Sequence, residues 1–439
     1  MYVLDLDVRR IKRLAHLELS FRQDDGSPRM WTVFVGENGT CKTTLLQAIG
    51  MAAVGAERSN QLADVPGLKD LRADLNERSS ITAEFTLGSR GHGSREYPEH
   101  SKAARPPLIH SELNLARDES TVTGFSAYGH RPKPSQFDLL RTVRARNTPD
   151  WFVAGYGVDR FLPRPMSVEK FDDPILARMG PLFGKNRLVG TGFADLLDDP
   201  LHFVKLLNEA LIRSTLLPGV ANLELRGRGG VSSSSKLLES HRFDFKFGDS
   251  WLRLPATWLS QGYQSTIAWI ADILGHFMLE RPGETDLALE DLEGLVLIDE
   301  LDLHLHPRWQ SSLVASLKRV FPNVQFVATT HSPLVLTGLR ADEVIILRSA
   351  ENGDIHAMPA PDEPAQLTGS ELLYDFFDAG ASQSPANEKL QQYGFLVGNP
   401  YRSDEDEVQM EALRRELEQA GINPGWTPVE RLKRHVSGS

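Results

Sequence analysis

The chain opens with alternating apolar and polar residues and then changes to a continuous apolar run. Between Ile11 and Phe21 the sequence IKRLAHLELSF places apolar residues at alternating positions, which predicts a half-buried strand of a β-hairpin. After the turn sequence DDGSP, the run MWTVFVG predicts a buried strand that ends at Gly36. The apolar run KTTLLQAIGMAAVG then predicts a helix, so the residues just after Gly36 lie at a strand-to-helix turn.

The C-terminal half of the chain alternates between short apolar runs and helical patterns. The runs GLVLIDE, QFVATTH and EVIILR each predict a buried strand, and GYQSTIAWIADILGHFM predicts a long apolar helix. Buried strands that alternate with helices are typical of an α/β sheet with parallel strands. We therefore expect an α/β fold.

The middle of the chain has weaker periodicity. Residues 88–146 are rich in Gly, Pro, Ser, His and Arg, and the strands ITAEFTL and WFVAGYGVDR flank them. Helical patterning returns in FADLLDDPLHFVKLLNEALI, followed by a Gly/Ser-rich loop, the strands FDFKF and WLRLP, and short helices from residue 369. The predicted division is an N-terminal lobe (1–87), an irregular insertion (88–150), a strand plus helical subdomain (151–250), a C-terminal lobe (251–360) and a helical tail (361–439).

Composition narrows the class of protein. The 439 residues are 41 % hydrophobic and include one cysteine, which excludes an internal disulfide framework and a cysteine-based zinc site within one chain. No run of about 18 apolar residues and no leader pattern is present, so we expect a cytoplasmic protein without membrane contact. The net charge of −11 argues against a coat of nucleic acid but permits a local basic strip. Arg141, Arg144 and Arg146 could form such a strip for DNA or RNA phosphates, although a solvated helix face has the same pattern.

A nearly complete phosphate-binding loop follows the first buried strand. The pattern G-x-x-x-x-G-K-[ST] matches from Gly36 to Thr43, except that Cys41 stands where glycine is expected. In such a loop, backbone N–H groups and the N-terminus of the next helix point at the phosphates, Lys42 reaches the β- and γ-phosphates and Thr43 ligates Mg²⁺. The candidate nucleotide-binding residues here are Gly36, Glu37, Asn38, Gly39, Thr40, Cys41, Lys42, Thr43 and Thr44.

Three further motifs carry polar groups at the ends of apolar segments. LVLIDE delivers Asp299, which could hold Mg²⁺ through its water shell, and Glu300, which could activate water as a general base. His331, in ATTHSP, could sense or stabilise the γ-phosphate, although a lone histidine at a strand end is usually structural. In LSQGYQS, Ser260 and Gly262 open an apolar helix whose N-terminus suits an anion, and an ordinary helix cap has the same pattern.

The order of these four motifs resembles the ATP-binding-cassette ATPases, and more narrowly their RecF-like and SMC-like branch in DNA repair and anti-phage systems. The phrase LIDELDLHLHPRWQ looks closest to compact ATPases that partner a separate nuclease or toxin, such as those of Septu-type systems and overcoming-lysogenization-defect nucleases. The resemblance implies an α/β P-loop fold of the ATP-binding-cassette type. Such a fold has a mixed sheet core, an antiparallel N-terminal β-subdomain, a helical insertion and a helical C-terminal tail.

The same resemblance implies roles for residues and partners. Glu300, His331 and Lys42 would be catalytic, with ATP and Mg²⁺ as ligands. Ser260 and Gly262 would contact the γ-phosphate bound by another protomer, and Asp302 would communicate across that head-to-tail dimer. A homodimer or higher oligomer would then regulate a separate effector such as a nuclease, since this chain shows no nuclease motif of its own.

Several departures from the family pattern leave alternatives open. In the signature motif, Gln261 and Tyr263 stand where glycine and glutamine are usual. The segment GYGVDR is a candidate for the region of the glutamine loop, and its Arg160 is a candidate contact for phosphate or a partner. His304 and His306 could bind a metal or lie in a loop at the dimer interface.

The cysteine in the phosphate-binding loop and the function itself also leave alternatives. Cys41 is a tolerated small residue, a sign of an impaired loop, or a redox-sensitive thiol, because a helix N-terminus lowers a thiol pKa. Rival functions are a non-hydrolysing ATP-dependent scaffold and the nucleotide-binding subunit of a transporter.

Overall fold

The described chain forms two compact units, residues 1–367 and 368–439. A computed structural model describes residues 1–69, 78–88, 108–115, 120–130, 132–134, 138–141, 151–162, 173–185, 188–190, 193, 197–224, 242–255, 258–281, 283–284, 286–377, 389, 392–393, 396–397 and 403–420. The strands are β1 (Tyr2–Ile11), β2 (Leu14–Ser20), β3 (Trp31–Gly36), β4 (Ser79–Thr86), β5 (Leu108–Leu115), β6 (Val122–Tyr128), β7 (Val153–Tyr156), β8 (Val220–Glu224), β9 (Arg242–Phe247), β10 (Ser250–Pro255), β11 (Gly294–Ile298), β12 (Val324–Thr329), β13 (Val344–Ser349) and β14 (Ile355–Pro359).

Nine α-helices occur in the described residues. They are α1 (Lys42–Leu62), α2 (Val65–Leu68), α3 (Pro174–Met179), α4 (Pro200–Asn208), α5 (Gln261–Glu280), α6 (Pro307–Val320), α7 (Pro333–Leu336), α8 (Gly369–Phe377) and α9 (Asp404–Gln419). A π-helical turn, Glu209–Arg213, extends α4. The last two helices belong to the second unit, and they confirm the helical character predicted for the C-terminal tail.

A six-stranded mixed sheet forms the centre of the first unit. Its order is β14-β13-β3-β12-β11-β7, in which β14 is antiparallel to β13 and the other neighbours are parallel. Every residue of β3, β11 and β12 is buried, as the continuous apolar runs predict for strands covered on both faces. The carboxyl ends of these three strands therefore meet at one edge, where ligands bind in open α/β sheets.

A second sheet, antiparallel and five-stranded, carries the N-terminal hairpin in the order β2-β1-β4-β5-β6. Its apolar face and helix α1 share one hydrophobic core, with Val8, Ile81 and Ile109 fully or almost fully buried beside Leu45 and Ile49. The buried side chain of Gln325 joins this sheet to the central one, because it accepts from the N–H of Val3 at 2.7 Å and donates to its carbonyl at 2.9 Å. The predicted antiparallel N-terminal subdomain is confirmed.

The segment predicted as an irregular insertion contains regular structure, and this part of the prediction was wrong. Strand β5 pairs with β4 over eight residue pairs, from Ser79 opposite Leu115 to Thr86 opposite Leu108, and β6 pairs with β5. The local composition hid these strands because their stability comes from pairing with a strand distant in sequence and from burial of apolar side chains on α1. The domain boundaries themselves stay a prediction.

A third sheet, in the order β10-β9-β8, is antiparallel and includes both strands predicted in FDFKF and WLRLP. Helix α5 follows it, and most of its side chains are buried. The predicted fold class, an α/β P-loop fold with a mixed core sheet and an antiparallel N-terminal subdomain, is confirmed by this topology.

Candidate nucleotide-binding site

The loop after β3 turns sharply because three of its residues have positive φ. These are Gly36 (φ 146°), Gly39 (φ 81°) and Cys41 (φ 64°). A Cβ atom at Gly36 would lie 2.3 Å from the carbonyl oxygen of Leu347 on the neighbouring strand, so only glycine fits there. Cys41 is a left-handed residue that directly precedes α1, and this conformation costs a non-glycine residue about 1–2 kcal/mol. Position 41 therefore requires a left-handed backbone conformation, which favours glycine. Cys41 adopts this conformation at a modest energetic cost.

The lysine of the loop is folded back beneath it. The Nζ atom of Lys42 donates to the carbonyl oxygens of Gly36 and Glu37, both at 2.8 Å. Burial lowers the pKa of Lys42, although the carboxylates of Asp299 and Glu300 oppose this shift. The two carbonyl contacts hold a buried cation at the mouth of the loop, where it can exchange them for phosphate oxygens.

A chain of hydroxyl and carboxylate groups joins the start of α1 to the end of β11. The hydroxyl of Thr43 donates to Oδ2 of Asp299 at 2.8 Å, and the hydroxyl of Thr329 donates to Oδ1 of the same carboxylate at 2.7 Å. The Thr329 hydroxyl also accepts from the N–H of Glu300 at 2.7 Å. Glu300 has a φ of 48°, so this turn directs the second carboxylate away from the strand. The residues predicted for Mg²⁺ and for general-base chemistry are therefore neighbours.

Arg160 supports this turn from below. It is 2 % exposed, and its guanidinium donates to the carbonyl oxygens of Gly157 at 3.0 Å and Glu300 at 2.6 Å, and also to that of Asp299. Burial lowers the pKa of Arg160 to about 10. The guanidinium is enclosed and its two terminal nitrogens donate to the backbone, so the structure does not support the predicted contact with phosphate or a partner.

One cavity of about 350 Å³ collects most of the predicted site. Its lining consists of Lys12, Arg13, Asn38, Gly39, Thr40, Cys41, Lys42, Thr43, Thr44, Asp299, Glu300 and His331. Asp302 lies behind His331, since its carboxylate accepts from the backbone N–H of His331 at 3.2 Å and from the hydroxyl of Thr330. The catalytic, nucleotide-binding and metal-binding roles of these residues stay predictions, but the structure places them around one space.

Arg13 is a site residue that sequence reasoning missed. It lies where β1 turns into β2, and its guanidinium donates to the carbonyl oxygens of Gly39 at 3.2 Å and Gly353 at 2.9 Å and to the hydroxyl of Ser349. It thereby ties the phosphate-binding loop to the connection between β13 and β14. No motif marks this arginine, because its partners lie up to 340 residues away along the chain.

The predicted signature residues lie apart from this cavity. Ser260 is the N-cap of α5, and a Cβ atom at Gly262 would lie 2.5 Å from the carbonyl oxygen of His304, which explains the glycine. Ser260 instead borders a second cavity of about 620 Å³ together with Tyr263 and Trp309. Within one chain, the described structure does not bring the signature residues to the phosphate-binding loop.

The histidine pair after β11 has a structural role. Nδ1 of His306 accepts from the N–H of Arg308 at 3.3 Å and caps α6. Among the described residues, the set of three potential ligands that converges within 4.8 Å is Asp7, His16 and Glu18, so the metal hypothesis at the pair is not supported.

The proposed basic strip lies mostly outside the described residues. Arg144 and Arg146 are not among them. Arg141 is described, and it lies 3.5 Å from the carboxylate of Glu57. The contact with DNA or RNA stays a prediction.

The loop after β3, the acidic end of β11 and the parallel strands of the central sheet form a P-loop ATPase fold of the ATP-binding-cassette type. Residues 191–337 match the family model described as "AAA domain, putative AbiEii toxin, Type IV TA system". The chain is 26 % identical to the Septu protein PtuA of Bacillus mycoides (strain KBAB4) over 95 % of its own length and 50 % of that protein. It is 31 % identical to the "Retron Ec83 probable ATPase" of Escherichia coli over 48 % of its length and 39 % of that protein. These relatives confirm the predicted resemblance to the ATPases of Septu-type systems.

The chain also resembles solved structures, and it spans only part of the length of its relatives. A solved structure of the SmcHead bound to the C-winged helix domain of ScpA matches with a TM-score of 0.48 and 14 % identity over 82 % of this chain and 97 % of that chain. The chain spans about half or less of the length of the curated relatives it matches. Among the described residues, no helix is long and apolar enough to cross a membrane.

Proposed function

We propose that this chain is an ATPase that binds ATP with Mg²⁺ in the P-loop cavity and hydrolyses it as a head-to-tail dimer. The ATPase would regulate a separate effector, such as a nuclease, in anti-phage defence. The observation that carries the proposal is the hydrogen bond of 2.8 Å between Thr43 and Asp299. It joins the two motifs that hold the metal in P-loop enzymes, and Lys42, Glu300 and His331 line the same cavity.

The side chains at this junction suit magnesium. Mg²⁺ prefers oxygen ligands, commonly one or two carboxylates plus substrate phosphates and water, and Thr43 with Asp299 supplies a hydroxyl and a carboxylate. Magnesium bound there would neutralise charge on the β- and γ-phosphate oxygens. Glu300, at the end of the same strand, would accept a proton from the attacking water, and Lys42 would exchange its two carbonyl contacts for phosphate oxygens.

The separation of the motifs within one chain supports the proposed dimer. Ser260 and Gly262 lie at the start of α5, outside the P-loop cavity, and a second copy could supply them to the nucleotide. The effector is supported by the likeness to relatives named for Septu and retron systems and by the given sequence, in which no nuclease motif is recognisable.

The test is steady-state ATP hydrolysis by the purified protein with Mg²⁺, with and without DNA, beside Glu300→Gln. We expect kcat to fall at least about 100-fold in Glu300→Gln, the usual contribution of a general base, while ATP binding persists. The matched control is Glu290→Gln, an exposed carboxylate before β11, which should leave kcat unchanged.

Other outcomes separate the rival functions. Equal turnover in Glu300→Gln and the unsubstituted protein would refute the general-base assignment. ATP-dependent dimerisation without turnover under any condition would select the non-hydrolysing scaffold. Copurification with a membrane permease would favour the transporter subunit.

A further inference from the structure

Trp258 is the most exposed large aromatic residue in the described chain. It is 76 % exposed, and it stands two residues before Ser260. Among the described residues, no other ring stacks on it and no hydrogen bond reaches its indole. Tryptophan is enriched where proteins bind other molecules, because its large ring stabilises a complex once it leaves water.

The backbone that carries this indole is held in place. Leu259 is 7 % exposed, and its carbonyl oxygen accepts from Nε2 of Gln264 at 2.7 Å. Ser260 is the N-cap residue of α5, and its carbonyl oxygen accepts from the N–H of Gln264 at 3.0 Å. Gly262 packs against the carbonyl of His304. Trp258 is thus presented from an anchored segment at the helix start, directly beside the proposed signature residues.

The P-loop cavity lacks a surface for a nucleotide base. Its lining, given above, supplies backbone amides, cations, hydroxyls and carboxylates for phosphates and metal. Among the described residues its one aromatic ring is the imidazole of His331, which the proposed function assigns to the γ-phosphate. Arg13 at its edge uses its guanidinium to hold the phosphate-binding loop in place. Among the described residues of the same chain, a nucleotide held there would find no phenylalanine, tyrosine or tryptophan ring in the cavity lining for its base.

We propose that Trp258 of one chain stacks on the base of the nucleotide bound by the P-loop of a second copy. This assignment rests on the proposed head-to-tail dimer, in which Ser260 approaches the phosphates of the partner's nucleotide. Two residues of extended chain span at most about 7 Å, so the segment that reaches the phosphates carries the indole with it. The signature segment then has two functions: it contacts the phosphates, and it covers the base.

The test uses the triphosphate of 2-aminopurine riboside, whose fluorescence falls when its base stacks on an aromatic ring. The protein carries Glu300→Gln to hold the nucleotide, and sedimentation velocity reports dimer formation separately. We expect quenching on dimerisation, loss of that quenching in Trp258→Ala, and partial recovery in Trp258→Phe. The concentration for half-maximal dimerisation should rise about tenfold in Trp258→Ala, the usual effect of losing one stacking ring.

Two controls frame the result. Trp251→Ala removes another exposed tryptophan, 56 % exposed on β10, and should change neither quenching nor dimerisation. Ser260→Arg introduces a bulky charge at the start of α5, and its monomer should bind the nucleotide without quenching.

Three outcomes would overturn the assignment. Dimers of Trp258→Ala that quench as strongly as the parent would show that the base stacks elsewhere. Quenching in the Ser260→Arg monomer would place the base against its own chain. Nucleotide binding without any dimer in the sedimentation data would refute the dimer of the proposed function. Sedimentation shows this failure by itself, so it is distinguishable from a failure of base stacking, which only the fluorescence reports.

Discussion

The hydroxyl of Thr329 serves both acidic residues of the site. The side chain is fully buried, donates to Asp299 and accepts from the N–H of Glu300, each at 2.7 Å. One small polar group therefore sets the orientation of the proposed metal ligand and of the turn that directs the proposed base. A hydroxyl in this position acts through the two acids and is a positioning residue.

Replacing Thr329 with valine tests this role at constant volume. Valine leaves the buried N–H of Glu300 without a hydrogen-bond partner, which costs about 1–3 kcal/mol of folding free energy. We expect kcat for ATP hydrolysis to fall about tenfold or more, with a smaller change in KM, in steady-state assays. Thr329→Ser keeps the hydroxyl and should restore most of the rate, whereas unchanged turnover in Thr329→Val would refute the positioning role.

Cys41 presents a different problem, because its backbone is left-handed. Its φ of 64° and ψ of 22° cost about 1–2 kcal/mol, and glycine would remove this cost but lose about 0.5–1 kcal/mol of chain entropy. We therefore expect Cys41→Gly to raise the free energy of unfolding by up to about 1 kcal/mol. Cys41→Ala, which keeps a Cβ atom, should show no such gain.

Thermal unfolding of the two variants, measured in parallel, checks the strain argument. A glycine variant less stable than the alanine variant would contradict it. Alkylation of the single cysteine tests the redox hypothesis, which requires that the modified protein lose ATP binding.

At the scale of elements, a buried polar network links β7 of the central sheet to helix α5. The hydroxyl of Tyr156 donates to Asp272 at 3.2 Å, and Asp272 also accepts from the N–H groups of Val189 at 2.7 Å and Gly190 at 3.0 Å. His276 lies 3.5 Å from the same carboxylate, one helical turn along α5. The network holds α5 against β7, the strand beside β11 in the central sheet.

Asp272 makes this junction sensitive to pH. Burial raises the pKa of Asp272 from 3.8 to about 6, so the folded chain retains a proton that the unfolded chain releases near pH 4. Between pH 4 and 6 the folded state binds more protons, and the contribution of Asp272 to the free energy of unfolding falls as pH rises. The contribution to the free energy of unfolding falls by about 3 kcal/mol at most, because each unit of difference in pKa corresponds to about 1.4 kcal/mol.

Asp272→Asn should remove this dependence. The amide cannot ionise, and its oxygen can still accept from Val189 and Gly190. We expect the melting temperature of the variant, relative to the parent, to increase as pH rises from 4 to 7. For the exposed residue Asp198, the variant Asp198→Asn should have a melting temperature whose difference from the parent does not increase with pH in this way. If the difference for Asp272→Asn is also constant from pH 4 to 7, the raised pKa assigned to Asp272 is wrong.

At the scale of the whole molecule, the site exists because strands from distant parts of the chain have adjacent places in one sheet. Strand β3 carries the phosphate-binding loop, β12 leads to His331 and β11 ends before Asp299, and these three are neighbours in the order β3-β12-β11. Parallel pairing places their carboxyl ends at one edge. Residues separated by more than 250 positions along the chain, Thr43 and Asp299, are thereby brought within hydrogen-bond distance.

The sequence by itself determined the local parts of this arrangement. The apolar runs of β3, β11 and β12 predicted buried strands, because the burial of a strand shows in its own residues. The resemblance of the four motifs, in their order, to the ATP-binding-cassette ATPases implied the P-loop fold. Lys42, Thr43, Asp299, Glu300 and His331 were all expected before any contact was known.

Only the tertiary structure decided the rest. Arg13 and Thr329 act through partners far away in sequence, so no local pattern distinguishes them from ordinary residues. Arg160 was a candidate in the sequence, but only the structure showed that its guanidinium donates to backbone carbonyls. Strands β5 and β6 form by pairing onto β4, which a segment rich in glycine and proline did not reveal. The exposure of Trp258 also required the fold, because whether an apolar ring is covered depends on what packs against it, and local sequence carries no record of that.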